Sequence, residues 1–147
     1  MESATFSADT GRAMSQEKVD VVRRAIAALN TRDVEGYLAC CTDDIEVRTP
    51  WSEVGGVYQG RDAIRRMFAD VGDAGPDFAL TVERVQSVGD QRVLAFLRAS
   101  ATGRASGIDL GQDVPTGNVY DLVGGKIARI HIFLDRREAL EAAGLRE

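Results

Sequence analysis

Proton transfer near neutral pH needs a group that titrates there, and the chain offers one histidine, His131. It lies in the string I-A-R-I-H-I-F-L, residues 127–134, whose alternation reads as a strand. Side chains along a strand point alternately to its two faces. Ala128, Ile130, Ile132 and Leu134 then share a wholly apolar face, whereas Ile127, Arg129, His131 and Phe133 share a mixed one. The apolar face is the one expected inside, which turns His131 away from an interior site. Tyr120 is the second acid–base candidate, but a phenol of ordinary pKa, about 10, is a better acid than base. Cys40 and Cys41 are adjacent and suit neither a metal clamp nor a disulfide framework, a usage that fits a reduced, cytoplasmic setting.

Neutral polar groups remain. Asn118 and Tyr120 stand two apart on one strand and share a face. An amide can donate to a carbonyl, and a phenol can donate or accept. Such a pair among apolar neighbours would orient a small, mainly hydrophobic ligand carrying a carbonyl or hydroxyl. The same two side chains could instead satisfy backbone groups in a filled core. Thr49 ends an earlier strand, and Trp51 and Tyr58 occupy the glycine-containing loop that follows.

The elements that must position these groups follow from period and punctuation. Ser15 is a plausible N-cap for a helix carrying Val19, Val22, Ile26 and Leu29 at helical spacing. Asn30 to Asp33 breaks it, and Asp33 can cap a second helix with Val34, Tyr37, Leu38 and Cys41 on one face. A short strand around Ile45–Thr49 stops at Pro50, and Ile64, Met67, Phe68 and Val71 mark a third helix. From Phe78 the period becomes two, which predicts strands over 78–88, 92–102, 108–122 and 126–134. Gly89-Asp90 and Gly124-Gly125 are turn signals, and Gly111, Pro115 and Gly117 suggest a bulge or bend. Asp135 and Glu138 have capping-box spacing for a last short helix, which Gly144 would end. Helices first and a sheet afterwards describe an α+β domain with helices on one sheet face.

The bulk composition sets limits. The chain has 147 residues, 44% hydrophobic and 28% charged, as expected for one compact domain over 15–147. A net charge of −5 without a basic run argues against nucleic acid. No apolar run approaches the roughly 20 residues that span a bilayer. Residues 1–14 lack the features of a signal peptide and read as a disordered tail.

The order of elements, with the strings I-A-A-L-N at 26–30, D-D-I-E-V at 43–47, Y-Q-G-R-D-A-I at 58–64, G-K-I-A-R at 125–129 and the ending L-D-R-R-E-A-L-E-A-A-G-L, resembles the nuclear-transport-factor-2-like superfamily. Within it the likeness is to SnoaL-like and ketosteroid-isomerase-like proteins, over about residues 15–145. The resemblance implies a curved, mixed or antiparallel sheet forming a cone-shaped half-barrel closed by the N-terminal helices. It also implies acid–base chemistry without a metal or organic cofactor. The isomerases' base falls at Thr49, their oxyanion-hole tyrosine and acid at Ala25 and Asn118, and a supporting tyrosine at Phe68. The acids of epoxide hydrolases and cyclases fall at Ile132, and the hydrolase Arg and Asp at Leu97 and Ala99. On this alignment all the standard bases are replaced.

Alignment and parity together give an interior wall of Val47, Met67, Phe68, Ala95, Leu97, Leu122, Ile130 and Ile132, with positions 130, 132 and 134 facing the pocket. Trp51, Tyr58 and Gln112 would border its mouth. Leu94, Phe96, Ile127 and Phe133 would lie on the outer face, through which relatives commonly dimerise, so a homodimer is expected. Three functions are compatible with this reading. They are a binder of a small apolar metabolite, an isomerase- or cyclase-like enzyme with a rearranged site using His131 or Tyr120, and a dimeric interaction module without a ligand.

Overall fold

The computed structural model describes residues 2–50, 57–73, 75, 77–101, 104–105, 108–109 and 113–145, with side-chain surroundings throughout except at 2–14, 104–105 and 108–109. Helix α1 spans Glu2–Asn30 and α2 spans Val34–Ala39. No proline interrupts 2–30, and α1 runs upstream of the Ser15 cap suggested by the sequence. Asp33 caps α2 as expected, its carboxylate accepting from the Gly36 amide at 2.9 Å. Six residues are too few for a helix to persist alone. What holds α2 is the burial of Tyr37 and Leu38, each such side chain contributing about 1.5–3 kcal/mol.

Strands β1 (Cys41–Arg48) and β2 (Val57–Gln59) precede α3 (Arg61–Asp73). Then come β3 (Ala79–Val88), β4 (Arg92–Ser100), the short pair β5 (Arg104–Ala105) and β6 (Ile108–Asp109), β7 (Val114–Val123) and β8 (Lys126–Phe133). Helix α4, Arg136–Ala142, follows. The main sheet is curved and unclosed, with strand order β2-β1-β8-β7-β4-β3, and β1 runs parallel to β8 while the other pairs are antiparallel. The turn between β7 and β8 uses Gly124 and Gly125, both at positive φ, 60° and 81°. A tight hairpin of this kind requires that backbone at both positions, which explains the glycine pair.

Helices α1 to α3 pack on one sheet face and enclose the main core, whose fully buried members include Leu38, Ile45, Ile64 and Leu97. The Asn30 amide, at the end of α1, pairs with both backbone groups of Leu80, at 2.9 and 2.8 Å, and so fixes that helix over β3.

Three expectations need correction. First, helices do not keep to one face: α4 lies on the other one. There Leu94, Val119, Ala139 and Ala143 form a second buried cluster, with Phe96, Phe133, Leu140 and Leu145 packed on it. The outer face from which a dimer is expected is therefore covered in part by the chain itself. Second, Ile127 is fully buried in the main core, not on the outer face. Arg129 pairs with Asp121 and Ile127 with Leu122, so Ala128 is an extra residue without a partner, and this bulge turns Ile127 inward. Third, Leu134 lies beyond the end of β8 and is exposed. The bulge suspected near Gly117 is absent from the described residues there, since Val114 to Asp121 pair with β4 in unbroken register.

Helix α4 is anchored at both ends. Asp135 accepts from the Arg137 amide at 2.9 Å. Arg136 donates to the carbonyls of Thr116 and Leu97, at 3.2 and 2.8 Å, and to Glu83 at 2.6 Å. At the far end Gly144, at φ 87°, donates to Glu141, and Leu145 donates to Leu140, the hydrogen-bond pattern of a glycine-ended helix.

Candidate functional site

Strand β7 brings the two expected polar side chains into the main core. Asn118 stands opposite Ala95 on β4 and Ile132 on β8, and Tyr120 stands opposite Val93 and Ile130. Residues 116, 118 and 120 point inward, while Gly117 and Val119 face α4. Asn118 and Tyr120 are 4% and 3% exposed. The Asn118 Nδ2 donates to the Tyr120 hydroxyl oxygen at 3.3 Å. Among the described residues, the buried Asn118 Oδ1 has no hydrogen-bond partner.

Burial pushes the Tyr120 phenol up to about 12, the Asn118 hydrogen bond acting in the opposite direction and nearby Cys41 adding to the rise. Tyr37 of α2 shares this environment. Burial raises it well above an ordinary phenol, with Cys41, Tyr120 and Cys40 adding to the effect, and its ring meets Phe68 edge-on at 5.3 Å. The Cys41 thiol is raised to about 12, mainly by burial, and donates to the Tyr37 carbonyl at 3.3 Å. Both phenols and this thiol are therefore protonated at neutral pH. Apart from these and the buried Cys40, the buried polar side chains among the described residues are Thr116 and Asn118, both uncharged. The interior is polar at a few points and ionised at none of them.

The other expected residues divide. Phe68, Leu97, Ala99 and Ile130 are buried in the core, with Ile132 packed against it. Val47, Met67, Ala95 and Leu122 join them, and Ala25 is buried on α1. Thr49 follows directly on β1 and is half-buried. Tyr58 pairs with Val47, and its hydroxyl donates to the Asp70 carboxylate on α3. Trp51 and Gln112 lie outside the described residues.

His131 takes the outer face. It pairs with Val119 on one side and Arg48 on the other, and its ring stacks on Phe133 with centroids 4.0 Å apart. Its pKa is lowered, first by burial and then by Arg48 and Arg129, against the opposing pull of Glu46 and Asp121. The imidazole stands across the sheet from Asn118 and Tyr120. Sequence reasoning had not weighed Tyr37 or Thr116 as site residues. Tyr37 carried one signal, a phenol on an otherwise apolar helix face next to Cys41. Thr116 carried parity with Asn118.

A family model described as a SnoaL-like domain matches residues 22–130, most of the chain. The protein belongs to the SnoaL-like family. This SnoaL-like protein is also similar to solved structures of the wider nuclear-transport-factor-2-like group. One is an uncharacterised cystatin-fold protein from Novosphingobium aromaticivorans, at 24% identity and TM-score 0.66, covering 79% of this chain and 97% of that one. A second is Bal32a from a soil-derived mobile gene cassette, at 24% identity and TM-score 0.69, covering 81% and 89%. A third is SalBIII, an epoxide hydrolase/cyclase-like enzyme in pyran ring formation in salinomycin, at 20% identity and TM-score 0.65, covering 80% and 90%. At these identities the likeness establishes the fold, and the fold hosts many activities. A comparison with curated proteins gives no match. Among the described residues no group of three or more His, Cys, Asp or Glu could hold a metal ion, and no helix is long and apolar enough to cross a membrane.

Proposed function

We propose that this SnoaL-like domain holds a small, mainly apolar metabolite in the cone interior, oriented by Asn118 and Tyr120, without the acids that the family's enzymes use. The observation that carries the reading is the unpaired, buried Oδ1 of Asn118. More than about nine in ten buried polar groups in folded proteins have a partner. Leaving one bare costs about 1–3 kcal/mol, so an orphan aimed into an interior points to a partner supplied from outside the chain. The surrounding wall is apolar: Ala95, Leu97, Ala99, Phe68, Ile130 and Ile132 can cover hydrocarbon and contribute no charge. The buried phenols and the thiol stay protonated near neutral pH, which suits them to hydrogen bonding more than to proton abstraction.

Native mass spectrometry of freshly purified protein tests the reading directly. The expected result is a bound small molecule that dissociates on denaturation. Ala99→Trp should abolish the adduct by filling the interior, and His131→Ala should keep it. No adduct on the wild-type protein, together with no hydrophobic probe binding that Ala99→Trp removes, overturns the proposal. Loss of the adduct in His131→Ala would move the site to the other face of the sheet.

A further inference from the structure

The hydrogen-bond arithmetic at Asn118 and Tyr120 is specific about the group that would complete it. As the two side chains stand, the amide nitrogen donates to the Tyr120 oxygen at 3.3 Å, and the amide oxygen accepts from no described residue. Tyr120 is then an acceptor toward Asn118, and its own hydroxyl proton is free to point elsewhere. The site therefore offers one empty acceptor, Asn118 Oδ1, beside two available donors, the Tyr120 O–H and the second N–H of the amide. Turning the amide end for end exchanges the roles: the phenol donates to the amide oxygen, and the amide nitrogen becomes the free donor. In either arrangement the pair keeps at least one free acceptor and one free donor.

We infer that the group recognised here is a hydroxyl on an uncharged ligand. A hydroxyl donates once and accepts twice. It can give its proton to Asn118 Oδ1 while accepting from Tyr120, or accept from the turned amide while donating to the phenol oxygen. A carbonyl only accepts: it leaves Oδ1 bare in the observed arrangement, and in the turned one it takes the amide N–H but gives nothing to the phenol oxygen, so in either it makes one bond fewer than a hydroxyl. A carboxylate brings a charge into an interior whose buried polar side chains, among the described residues, are neutral. Without a buried Lys or Arg nearby, that charge loses its hydration and gains no counter-ion. Register adds a geometric reason. Ala95 stands directly opposite Asn118, and its one-carbon side chain takes up less space beside the amide than a longer one would. An aliphatic or alicyclic alcohol is the ligand class that meets all of these conditions. The inference rests on the proposed interior site and narrows it.

The experiment uses a matched set of cyclohexane, cyclohexanone, cyclohexanol and cyclohexanecarboxylate at neutral pH. Each is titrated into isotopically labelled full-length protein and followed by amide shifts on β4 and β7. Cyclohexanol should bind about tenfold more tightly than cyclohexanone or cyclohexane, as expected for one net hydrogen bond to a buried group. Cyclohexanecarboxylate should not shift these amides. Asn118→Leu and Tyr120→Phe should each remove most of the preference for the alcohol while leaving cyclohexane binding equal or tighter. Circular dichroism confirms that each variant is folded, and Tyr120→Phe alone suffices should Asn118→Leu fail to fold. Equal binding of the three neutral probes to the wild type overturns the hydroxyl inference and leaves the pocket standing; it is also the result expected if a bound water completes the pair. Binding of the carboxylate as tight as that of the alcohol overturns the exclusion of anions. If none of the four binds, the interior-site reading fails together with this one.

Discussion

Gly117 lies directly beneath Ala139, so close that a Cβ added at 117 would stand 2.5 Å from the Cβ of Ala139. The contact explains how a helix of only seven residues seats on the outer face of β7. The helix backbone approaches the strand where the strand carries no side chain. Phe96 flanks the contact, 3.6 Å from the same point, and the Arg136 guanidinium stacks over its ring at 4.8 Å. Together they let α4 cover Leu94 and Val119.

The first prediction follows from that approach. Gly117→Ala should destabilise the protein by about 1–3 kcal/mol, the usual cost of overpacking. For a chain of this size that is a fall in Tm of roughly 3 °C per kcal/mol in a thermal scan. Ala139→Gly alone should cost about 1 kcal/mol from helix propensity. In the double variant the clash is gone, so the combined loss should be smaller than the sum of the two. Simple additivity would mean that the close approach has no energetic weight.

The bulge at Ala128 gives the second. Ile127→Ala should cost about 2–5 kcal/mol, in the range of any fully buried isoleucine, and as much as Ile130→Ala. Phe133→Ala, on the partly buried outer face, serves as the contrast. Denaturant unfolding of the three variants checks the order. An Ile127→Ala loss below 1 kcal/mol would return Ile127 to the outer face.

These two sites mark where the sequence was readable and where it was not. Parity placed His131 outside and Ile130 and Ile132 inside because the β7–β8 ladder is regular from Gly117 to Asp121. It failed at Ile127 because a bulge depends on the partner strand's register, and a single strand does not encode that. Asp33, Asp135 and Gly144 were legible since caps act through local hydrogen bonds. The side on which α4 packs was not, for seven residues carry too little periodicity to choose a face. At the site, the pairing of Asn118 with Tyr120 could be anticipated from their spacing. The orphaned Oδ1 could not, since a missing partner is a property of the surrounding packing. Tyr37 was hidden in the same way: an apolar helix face announces burial, and a phenol within it looks like core until its neighbours are known.

His131 supplies a pH prediction. Its folded pKa lies below the unfolded value of about 6.5, through burial and then through Arg48 and Arg129. A depressed histidine pKa favours the neutral ring in the folded state. Its contribution to stability is therefore complete above the unfolded pKa and declines as pH falls toward the folded one. Titration of the imidazole by NMR should give a midpoint below 6.5. Comparison of Tm between pH about 7 and about 5 should show a shallower acid-side fall in His131→Gln than in the wild type. A midpoint above the unfolded value would reverse the sign and show that Glu46 and Asp121 dominate instead.

Asn118 sets stability against function in one side chain. In the ligand-free protein its Oδ1 is desolvated and unpaired, a cost of about 1–3 kcal/mol. Leucine has nearly the shape of asparagine and carries no polar atom. Asn118→Leu removes this orphan but also takes the 3.3 Å partner from the buried Tyr120 hydroxyl, which becomes the unpaired group in its place. With one unpaired group exchanged for another, the empty Asn118→Leu protein should lie within about 1 kcal/mol of the wild type when compared by denaturant unfolding. The alcohol that completes the wild-type pair should stabilise the wild type and not the variant, because a ligand raises stability only in proportion to its affinity for the folded state. A core asparagine that merely served the fold would behave in the opposite way: its replacement by leucine would lower the stability of the empty protein, and added alcohol would leave the difference unchanged.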